Sequence, residues 1–346
     1  MTTLLTLAEL GWHPYFQQQL SLDEWEHYIP ARVFNYERSL MTAVSVNGKH
    51  SIPITSVMPA MTVGDWLLLS TDLRFERLLT RLSQFSRKSA GSQAAVQLIA
   101  ANVDIVFIMS SLNKDFNLNR IERYLALAHE AHVEPVVVLT KADLCENTED
   151  YVSQVKMLDG MLTVVVINCL DSASVAELSA LCGAGKTVAL MGSSGVGKSS
   201  LLNTLMGQTI QATRAIRDDD DKGRHTTTRR SLHILPNGTL LLDTPGMREL
   251  QLSDCDLGIE DTFPEIARFA QHCRFADCRH DGEPGCEVLA AITAGNLDER
   301  RLANFHKLLW EQALNSATLA EKRARERKLG RFYRPAKFAH DLKRKE

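Results

Sequence analysis

Apolar positions change their spacing along the chain, and each change marks a different kind of structure. Between residues 31 and 86 they form short alternating runs, with the hairpin signal Asn47-Gly48 between two of them. Four or five short strands in this stretch predict a small β-barrel of the OB or SH3-like kind. From residue 96 the apolar runs alternate with amphipathic stretches, which predicts a doubly wound parallel sheet with helices on both faces.

These changes divide the chain into four parts. We predict an N-terminal extension at 1–30, an OB-like barrel at 31–95, an α/β domain at 96–252 and a mainly helical region at 253–346. The basic, glycine-containing stretch 87–93 marks the end of the barrel. Within the extension, residues 7–16 suggest a short helix followed by a turn. Barrels of this kind often bind RNA, but a purely structural module fits the same pattern.

A glycine-rich loop follows the apolar run 187–191 and leads into a helix-like stretch that stops at Gly207. Its pattern is G-x-x-x-x-G-K-S, and such a loop points backbone N–H groups and a positive helix end at one spot, where polyphosphate binds. A glycine turn without a ligand is the alternative. The predicted nucleotide contacts are Gly192, Ser193, Ser194, Gly195, Val196, Gly197, Lys198, Ser199 and Ser200. Lys198 reaches the β- and γ-phosphates and Ser199 ligates Mg²⁺, so both are candidate catalytic residues.

The apolar run 134–140 ends in a four-residue motif made of Thr140, Lys141, Ala142 and Asp143. GTPases carry the tetrapeptide [NT]-K-x-D at a strand end, where it binds the base. The Asp accepts hydrogen bonds from guanine N1–H and the exocyclic amine, a donor pair that adenine lacks. Asp143 therefore selects guanine, and Lys141 lies along the base. By position alone, residues 168–170 correspond to the loop that contacts guanine O6 through a backbone N–H.

The polar segment 208–230 holds an acidic run at 218–221, followed by His225 and Thr227. We predict that the acidic run is a solvated loop and that Thr227 closes on Mg²⁺ and the γ-phosphate when GTP is bound. Two further strands then deliver the DxxG element that begins at Asp243 and ends at Gly246. Its Asp holds Mg²⁺ through water, and its Gly N–H contacts the γ-phosphate.

Met247 follows this element at the position where Ras-like enzymes carry a glutamine that orients the attacking water. A methionine side chain cannot orient water, so unaided hydrolysis is expected to be slow. His225 is the nearest candidate in sequence for this catalytic role, and an ordinary loop residue is the alternative.

The order of these motifs is unusual. The base motif that ends at Asp143 precedes the phosphate loop, and Asp243 follows it, whereas ordinary GTPases begin with the phosphate loop. A circular permutation keeps the three-dimensional site and moves only the chain ends. As a result, the segment after Gly246 leads directly into the C-terminal region, so nucleotide state can reposition that region.

Four metal-binding side chains follow in the spacing C-x₄-C-x-H-x₅-C: Cys273, Cys278, His280 and Cys286. Three thiolates and one imidazole are a closed ligand set for a structural zinc ion. Metal binding would supply the folding energy that so short a loop lacks. His272 is a substitute ligand, and free cysteines are the alternative. Helices at 288–294 and 297–314 flank the loop.

The charge of the chain is distributed unevenly. Residues 321–346 carry eleven Lys/Arg against four Asp/Glu, a net charge of +7, so the remainder carries −10 of the overall −3. Phe332 and Tyr333 stand among arginines, and this mixture favours stacking on unpaired RNA bases, with a solvated helix face as the alternative. We find neither a secretion signal nor a membrane span, which predicts a cytoplasmic protein.

Together these motifs resemble the circularly permuted RsgA (YjeQ) family of ribosome small-subunit-dependent GTPases, from about residue 31 to the tail. The resemblance implies an OB domain, a permuted GTPase centre and a zinc domain. It also implies hydrolysis of GTP to GDP and phosphate, stimulated by the small ribosomal subunit late in its maturation, with contact to 16S rRNA. The expected cofactors are GTP or GDP, Mg²⁺ and one structural Zn²⁺. The acidic run at 218–221 and the N-terminal extension depart from a typical member.

Two alternative functions share some of these features. An RNA-binding protein could use GTP only as an ordering ligand, with negligible hydrolysis. A metabolic P-loop kinase is disfavoured because Asp143 selects guanine and the sequence shows no acceptor pocket. We expect a monomer without membrane contact.

Overall fold

The computed structural model describes residues 4–88, 96–207, 230–243, 247, 250, 252 and 255–316. The N-terminal extension contains two short helices, α1 (Pro14–Gln17) and α2 (Leu22–His27). The predicted order of helix and turn within residues 7–16 is wrong, because residues 7–11 form turns and the helix comes after them. Pro14 favours a helix start, and the His13 side chain caps it by accepting the Tyr15 N–H at 3.1 Å.

Five strands then form the predicted β-barrel region: β1 (Ile29–Tyr36), β2 (Leu40–Ser45), β3 (Gly48–Pro53), β4 (Trp66–Leu69) and β5 (Phe75–Leu78). Paired strands are antiparallel. The predicted β2–β3 hairpin is present, with Val46 and Asn47 as its turn and Gly48 opposite Ser45 at the start of β3. Alternate residues of these strands, together with Met61 from the connection between β3 and β4, form one buried cluster: Ala31, Val33, Met41, Ala43, Ile52, Met61, Leu67 and Leu69.

A separate hairpin joins β6 (Gln84–Lys88) to β7 (Val96–Ala101). The predicted boundary at residue 95 lies between these two paired strands. Residues 89–95, which include most of the basic stretch placed at that boundary, lie outside the described residues.

The α/β domain alternates strands and helices as the sequence pattern predicts. Its elements are β8 (Ile105–Ser111), α3 (Leu118–Glu130), β9 (Glu134–Thr140), α4 (Thr148–Lys156), β10 (Thr163–Ile167), α5 (Ser172–Leu181), β11 (Thr187–Gly192), α6 (Lys198–Met206), β12 (Arg230–Ile234) and β13 (Leu240–Asp243). The strand order is β10-β9-β8-β11-β13-β12, parallel except for β12, which pairs antiparallel with β13. The carboxyl ends of five strands therefore share one edge, where ligands bind in such sheets.

Strand β8 shows why helices cover both faces of this sheet. Val106 and Ile108 pack in the same buried cluster as residues of α3, whereas Ile105, Phe107 and Met109 pack with residues of α5 and α6. Since both faces of β8 are buried, its residues 105–109 form a continuous apolar run and not an alternating one.

The barrel and the α/β domain share one eleven-stranded sheet. Strand β1 pairs antiparallel with β12, with Tyr36 opposite Arg230 and Asn35 opposite Ser231. Strand β12 is therefore held between a barrel strand and β13, the strand that ends in Asp243.

Four helices make up the described C-terminal region: α7 (Asp256–Thr262), α8 (Pro264–Ala270), α9 (Glu287–Thr293) and α10 (Glu299–Ser316). Glu122 of α3 is fully buried and accepts hydrogen bonds from Arg300 at 3.0 Å and Arg301 at 2.9 Å. Arg123 pairs with Glu311 at 2.8 Å. The C-terminal helices are thus fastened to α3. None of the helices in the described ranges combines the length and apolar character that a membrane span requires.

A buried arginine connects the N-terminal extension to the rest of the chain. The Arg32 guanidinium donates to the carbonyls of Leu10 at 2.8 Å, Asn102 at 2.9 Å and Gly64 at 3.3 Å. It also lies 5.7 Å from the Trp66 ring centroid. Burial lowers the pKa of Arg32 to about 10, which leaves it charged at neutral pH. The extension is therefore an integral part of the folded body.

Replacing this arginine should destabilise the protein. Arg32→Met fills a similar volume but leaves the buried carbonyls of Leu10 and Asn102 without these donors, so we expect a loss of about 3 kcal/mol in the free energy of unfolding. Chemical denaturation, monitored by circular dichroism, measures this free energy. Arg38→Met, at an exposed position of the same barrel, is the control and should change that free energy by less than about 0.5 kcal/mol. Equal values for the two variants would contradict the role given to Arg32.

Candidate nucleotide and metal sites

The glycine-rich loop lies between β11 and α6, as the sequence predicts. Gly192 has φ +149°, and a Cβ there would come within 2.6 Å of the Met109 carbonyl oxygen, so only glycine fits. Lys198 begins α6, and its ammonium donates to the carbonyls of Gly192 at 2.5 Å and of Ser193. The lysine is thereby folded back over the loop, where a phosphate group would sit at the helix N-terminus.

The base motif lies directly against this loop. Thr140 ends β9 and is fully buried, and its hydroxyl donates to the Val196 carbonyl at 2.6 Å. Lys141 follows in a left-handed conformation with φ +61° and starts a 3₁₀ turn, Ala142–Leu144, that carries Asp143. One hydrogen bond therefore joins two motifs that lie far apart in the sequence.

The loop after β10 packs beside the same glycines. A Cβ at Gly197 would come within 3.1 Å of the Cys169 sulfur, and the Thr204 hydroxyl of α6 donates to the Cys169 carbonyl at 2.7 Å. Burial raises the pKa of the Cys169 thiol to about 11, so it stays neutral. Residues 168–170, assigned by position only, thus lie next to the phosphate loop. Nothing in the sequence predicts the close contact of Cys169 with Gly197.

Asp115 is a further residue at this site that sequence reasoning missed. One of its carboxylate oxygens accepts the Ser193 hydroxyl at 2.6 Å, and the other accepts Arg120 at 2.8 Å. These two hydrogen bonds lower the pKa of Asp115 and keep it ionised, and the one from Ser193 has the larger effect. The available signal was its place just after β8, at the sheet edge where the other motifs meet.

The cysteine cluster brings its four predicted ligands together. One donor atom from each of Cys273, Cys278, His280 and Cys286 lies within 4.8 Å of all the others. The Cys273 and Cys286 sulfurs are 3.9 Å apart, and His280 Nδ1 lies 3.4 Å from the Cys286 sulfur and 3.7 Å from that of Cys273. A tetrahedral zinc site requires about 3.8 Å between sulfurs and about 3.6 Å between sulfur and nitrogen, so the donor set fits this ion.

The surroundings of the cluster decide between the two histidines. His280 is buried with its Nδ1 beside the sulfurs of Cys273 and Cys286, whereas the His272 ring is hydrogen-bonded to the Arg268 carbonyl at 3.0 Å. His272 is therefore not in the ligand group. Burial opposes ionisation of Cys273, but backbone N–H groups of Val288 and Glu287 at the start of α9 outweigh it and lower the pKa of this thiol.

Comparison with known proteins identifies the family. Residues 78–253 match the family model described as RsgA GTPase. The chain belongs to the RsgA GTPase family. It is 55% identical over 334 residues to the small ribosomal subunit biogenesis GTPase RsgA 2 of Vibrio parahaemolyticus, covering 96% of this chain and 93% of that protein. It is 45% identical over 335 residues to the RsgA of Mesorhizobium japonicum, covering 94% and 95%.

Two solved structures share this fold. YjeQ from Thermotoga maritima matches with a TM-score of 0.60 at 25% identity, over 82% of this chain and 98% of that one. YloQ, described as a circularly permuted GTPase, matches with a TM-score of 0.59 at 21% identity, over 82% and 95%. The predicted family, permuted fold and barrel region are confirmed. As an RsgA GTPase the chain is a GTP hydrolase, with GTP and GDP as ligands and Mg²⁺ as the accompanying ion.

Part of the predicted RsgA site lies outside the described residues. Asp243 ends β13 at the shared sheet edge, with its backbone opposite Ser231 of β12. Met247 is buried, with 2% of its surface exposed, in the core cluster that includes α3 residues. The remaining predicted residues of this part are outside the described ranges: His225, Thr227, Gly246, the acidic run 218–221 and the basic tail beyond 316.

Base selection by this RsgA protein can be tested with one substitution. Asp143→Asn loses the acceptor for the guanine amine, so we expect GDP affinity to fall about 100-fold. Xanthine carries a carbonyl in place of that amine, and the new amide can donate to it, so xanthosine diphosphate should bind better than GDP. Displacement of a fluorescent nucleotide measures both affinities. Asp150→Asn, on the exposed side of α4, is the control. Unchanged base preference in Asp143→Asn would exclude the assigned role.

Proposed function

We propose that this chain hydrolyses GTP on the small ribosomal subunit during the late maturation of that subunit, and that subunit binding stimulates hydrolysis. The relatives that align over most of its length carry the name small ribosomal subunit biogenesis GTPase. The observation that best supports nucleotide binding is the Thr140–Val196 hydrogen bond, which joins the base motif to the phosphate loop. We further propose that the chain acts as a monomer in the cytoplasm.

In this proposal the nucleotide spans the sheet edge. Asp143 and Lys141 bind the guanine, and Lys198 binds the β- and γ-phosphates. Backbone N–H groups of residues 192–200 surround the phosphates. Ser199, Thr227 and Asp243 hold Mg²⁺, directly or through water. Mg²⁺ supplies neutralisation of the charge that develops on the phosphate oxygens.

We also propose a low intrinsic rate of hydrolysis. Met247 has no group that orients water, and its buried side chain packs into the core. The water must then be oriented by another residue, for which His225 remains our candidate. Stimulation by the subunit follows if subunit binding places that residue.

The four-ligand cluster of Cys273, Cys278, His280 and Cys286 is proposed to hold one structural Zn²⁺. With three thiolates and one imidazole it is a closed set with no position open for a substrate. The ion would fix the loop between α8 and α9, where the described residues form turns and bends.

Contact with 16S rRNA is proposed for the same region. The Arg274 guanidinium lies 5.4 Å from the Phe275 ring centroid, and Phe275 is 43% exposed. Arg268 lies 5.2 Å from the Phe269 ring centroid. Exposed aromatic rings and guanidinium planes stack on unpaired bases, and the +7 tail adds attraction for phosphates.

The test is GTP turnover measured with and without purified small subunits over a salt series. We expect a stimulation of at least about 10-fold that declines steeply as salt rises, because phosphate contacts release counterions. Large subunits at the same concentration are the control. Equal turnover with and without small subunits, at every salt concentration, would refute the proposal.

A further inference from the structure

Asp115 contacts the phosphate loop through Ser193. Its carboxylate accepts the hydroxyl of Ser193 at 2.6 Å, and the carbonyl of the same Ser193 accepts the Lys198 ammonium. Ser193 is thus held on one side by Asp115 and itself holds the lysine on the other. A displacement of Ser193 would therefore move the point where Lys198 rests.

The loop that carries Asp115 is itself well fixed. The Asn113 side chain accepts the Asp115 N–H at 2.9 Å and the Ser111 hydroxyl at 2.9 Å. The Leu112 N–H donates to the Thr140 carbonyl at 2.9 Å, which ties the loop to the base motif. The next residue, Phe116, packs edge-on against Tyr151 with 4.8 Å between ring centroids.

The charge of Asp115 is balanced where it stands. An unpaired carboxylate beside the loop would repel a polyphosphate, but Arg120 of α3 pairs with Asp115 at 2.8 Å. Arg120 is placed by the start of α3, where the Asn117 side chain accepts the Arg120 N–H at 3.1 Å. The ion pair is therefore neutral overall, and the second carboxylate oxygen of Asp115 accepts the Ser193 hydroxyl.

We propose that Asp115 is a positioning residue for GTP hydrolysis: through Ser193 it fixes the loop and the Lys198 ammonium for the phosphates. The inference rests on the phosphate-loop assignment given under the proposed function. It assigns a part in the reaction to the loop between β8 and α3, which carries none of the GTPase motifs.

Two substitutions test this in the full chain. Asp115→Ala and Ser193→Ala each remove the same charge-assisted hydrogen bond, so each should lower GDP affinity and kcat/KM for GTP about tenfold. The double variant should lose no more than either single one, because the two residues act as one unit. Ser193→Ala removes only a hydroxyl, so it keeps the test open if Asp115→Ala fails to fold.

A second readout separates positioning from general damage. Inosine diphosphate lacks the exocyclic amine, so the ratio of its affinity to that of GDP reports on the base site alone. Loss of phosphate anchoring lowers both affinities equally and leaves this ratio unchanged. Asp23→Ala, at an exposed ion pair with His27 on α2, is the control and should keep the affinity and turnover of the unmodified chain.

The outcomes are distinct. The proposal is supported if each single variant loses about tenfold in GDP affinity and kcat/KM, the double variant loses no more, and the ratio of inosine diphosphate to GDP affinity is unchanged. Losses that multiply, a changed ratio, or affinities within about twofold of the unmodified chain would overturn it. If the unmodified chain itself fails to bind GDP, the phosphate-loop assignment fails; normal binding with unaffected variants removes only the role of Asp115.

Discussion

Replacing Lys198 with methionine should lower GTP turnover about 1000-fold, since this side chain supplies the positive charge nearest the transferred phosphoryl group. In the structure the ammonium is held by the carbonyls of Gly192 and Ser193, at the N-terminus of α6. The Lys198 side chain is mostly buried, with 8% of the residue exposed, so methionine replaces its apolar part without leaving a large cavity. The loss therefore arises from the missing charge and not from unfolding.

Single-turnover measurement of phosphate release gives this rate, with the melting temperature measured in parallel. Lys49→Met, at an exposed position of the barrel, is the matched control and should retain the rate of the unmodified chain. A Lys198→Met variant that hydrolyses GTP within about tenfold of the unmodified chain would mean that the phosphates bind elsewhere.

Removal of the metal should unfold the loop between α8 and α9. Zinc supplies on the order of 10 kcal/mol to small sites of this kind, far more than the few apolar contacts of such a loop. Cys286→Ser replaces a buried thiol of the cluster, at the N-cap position of α9, so we expect the variant to lose bound zinc. Limited proteolysis should then cut between residues 271 and 287, where we expect the unmodified chain to be resistant.

Zinc content by mass spectrometry should be one ion per chain and should fall to near zero in Cys286→Ser. Cys145→Ser, a half-buried cysteine outside the cluster, is the control and should keep the ion. A chain that contains no zinc when purified without chelator, or a Cys286→Ser variant with unchanged protease resistance, would contradict a structural zinc site.

The sequence predicts those parts of the fold and site that depend on local pattern. Parallel strands read as apolar runs because both of their faces are covered, and the motifs that follow them must meet at one sheet edge. The convergence of Thr140 and Val196 was therefore predictable although their motifs are far apart. The grouping of the three cysteines with a histidine was predictable because spacing and residue type define the set, and the structure places His280, not His272, in that group.

Other features depend on contacts between distant parts of the chain, which carry no local pattern. The Arg32 hydrogen bond to the Leu10 carbonyl involves a backbone acceptor that any residue could supply. The pairing of β1 with β12 joins an edge of the barrel to the α/β sheet, and nothing in either strand specifies its partner. Asp115 belongs to the same class, since a single loop carboxylate acquires its role only when Ser193 is folded against it.

The base motif and the phosphate loop, in reversed order along the chain, must bind the same nucleotide. A crystal structure of the full chain with GDP and Mg²⁺ measures this directly. We expect the Asp143 carboxylate within about 3 Å of guanine N1 and of the exocyclic amine, with Lys198 Nζ at the β-phosphate of that molecule. A nucleotide whose phosphates occupy the loop while its base lies away from Asp143 would contradict it.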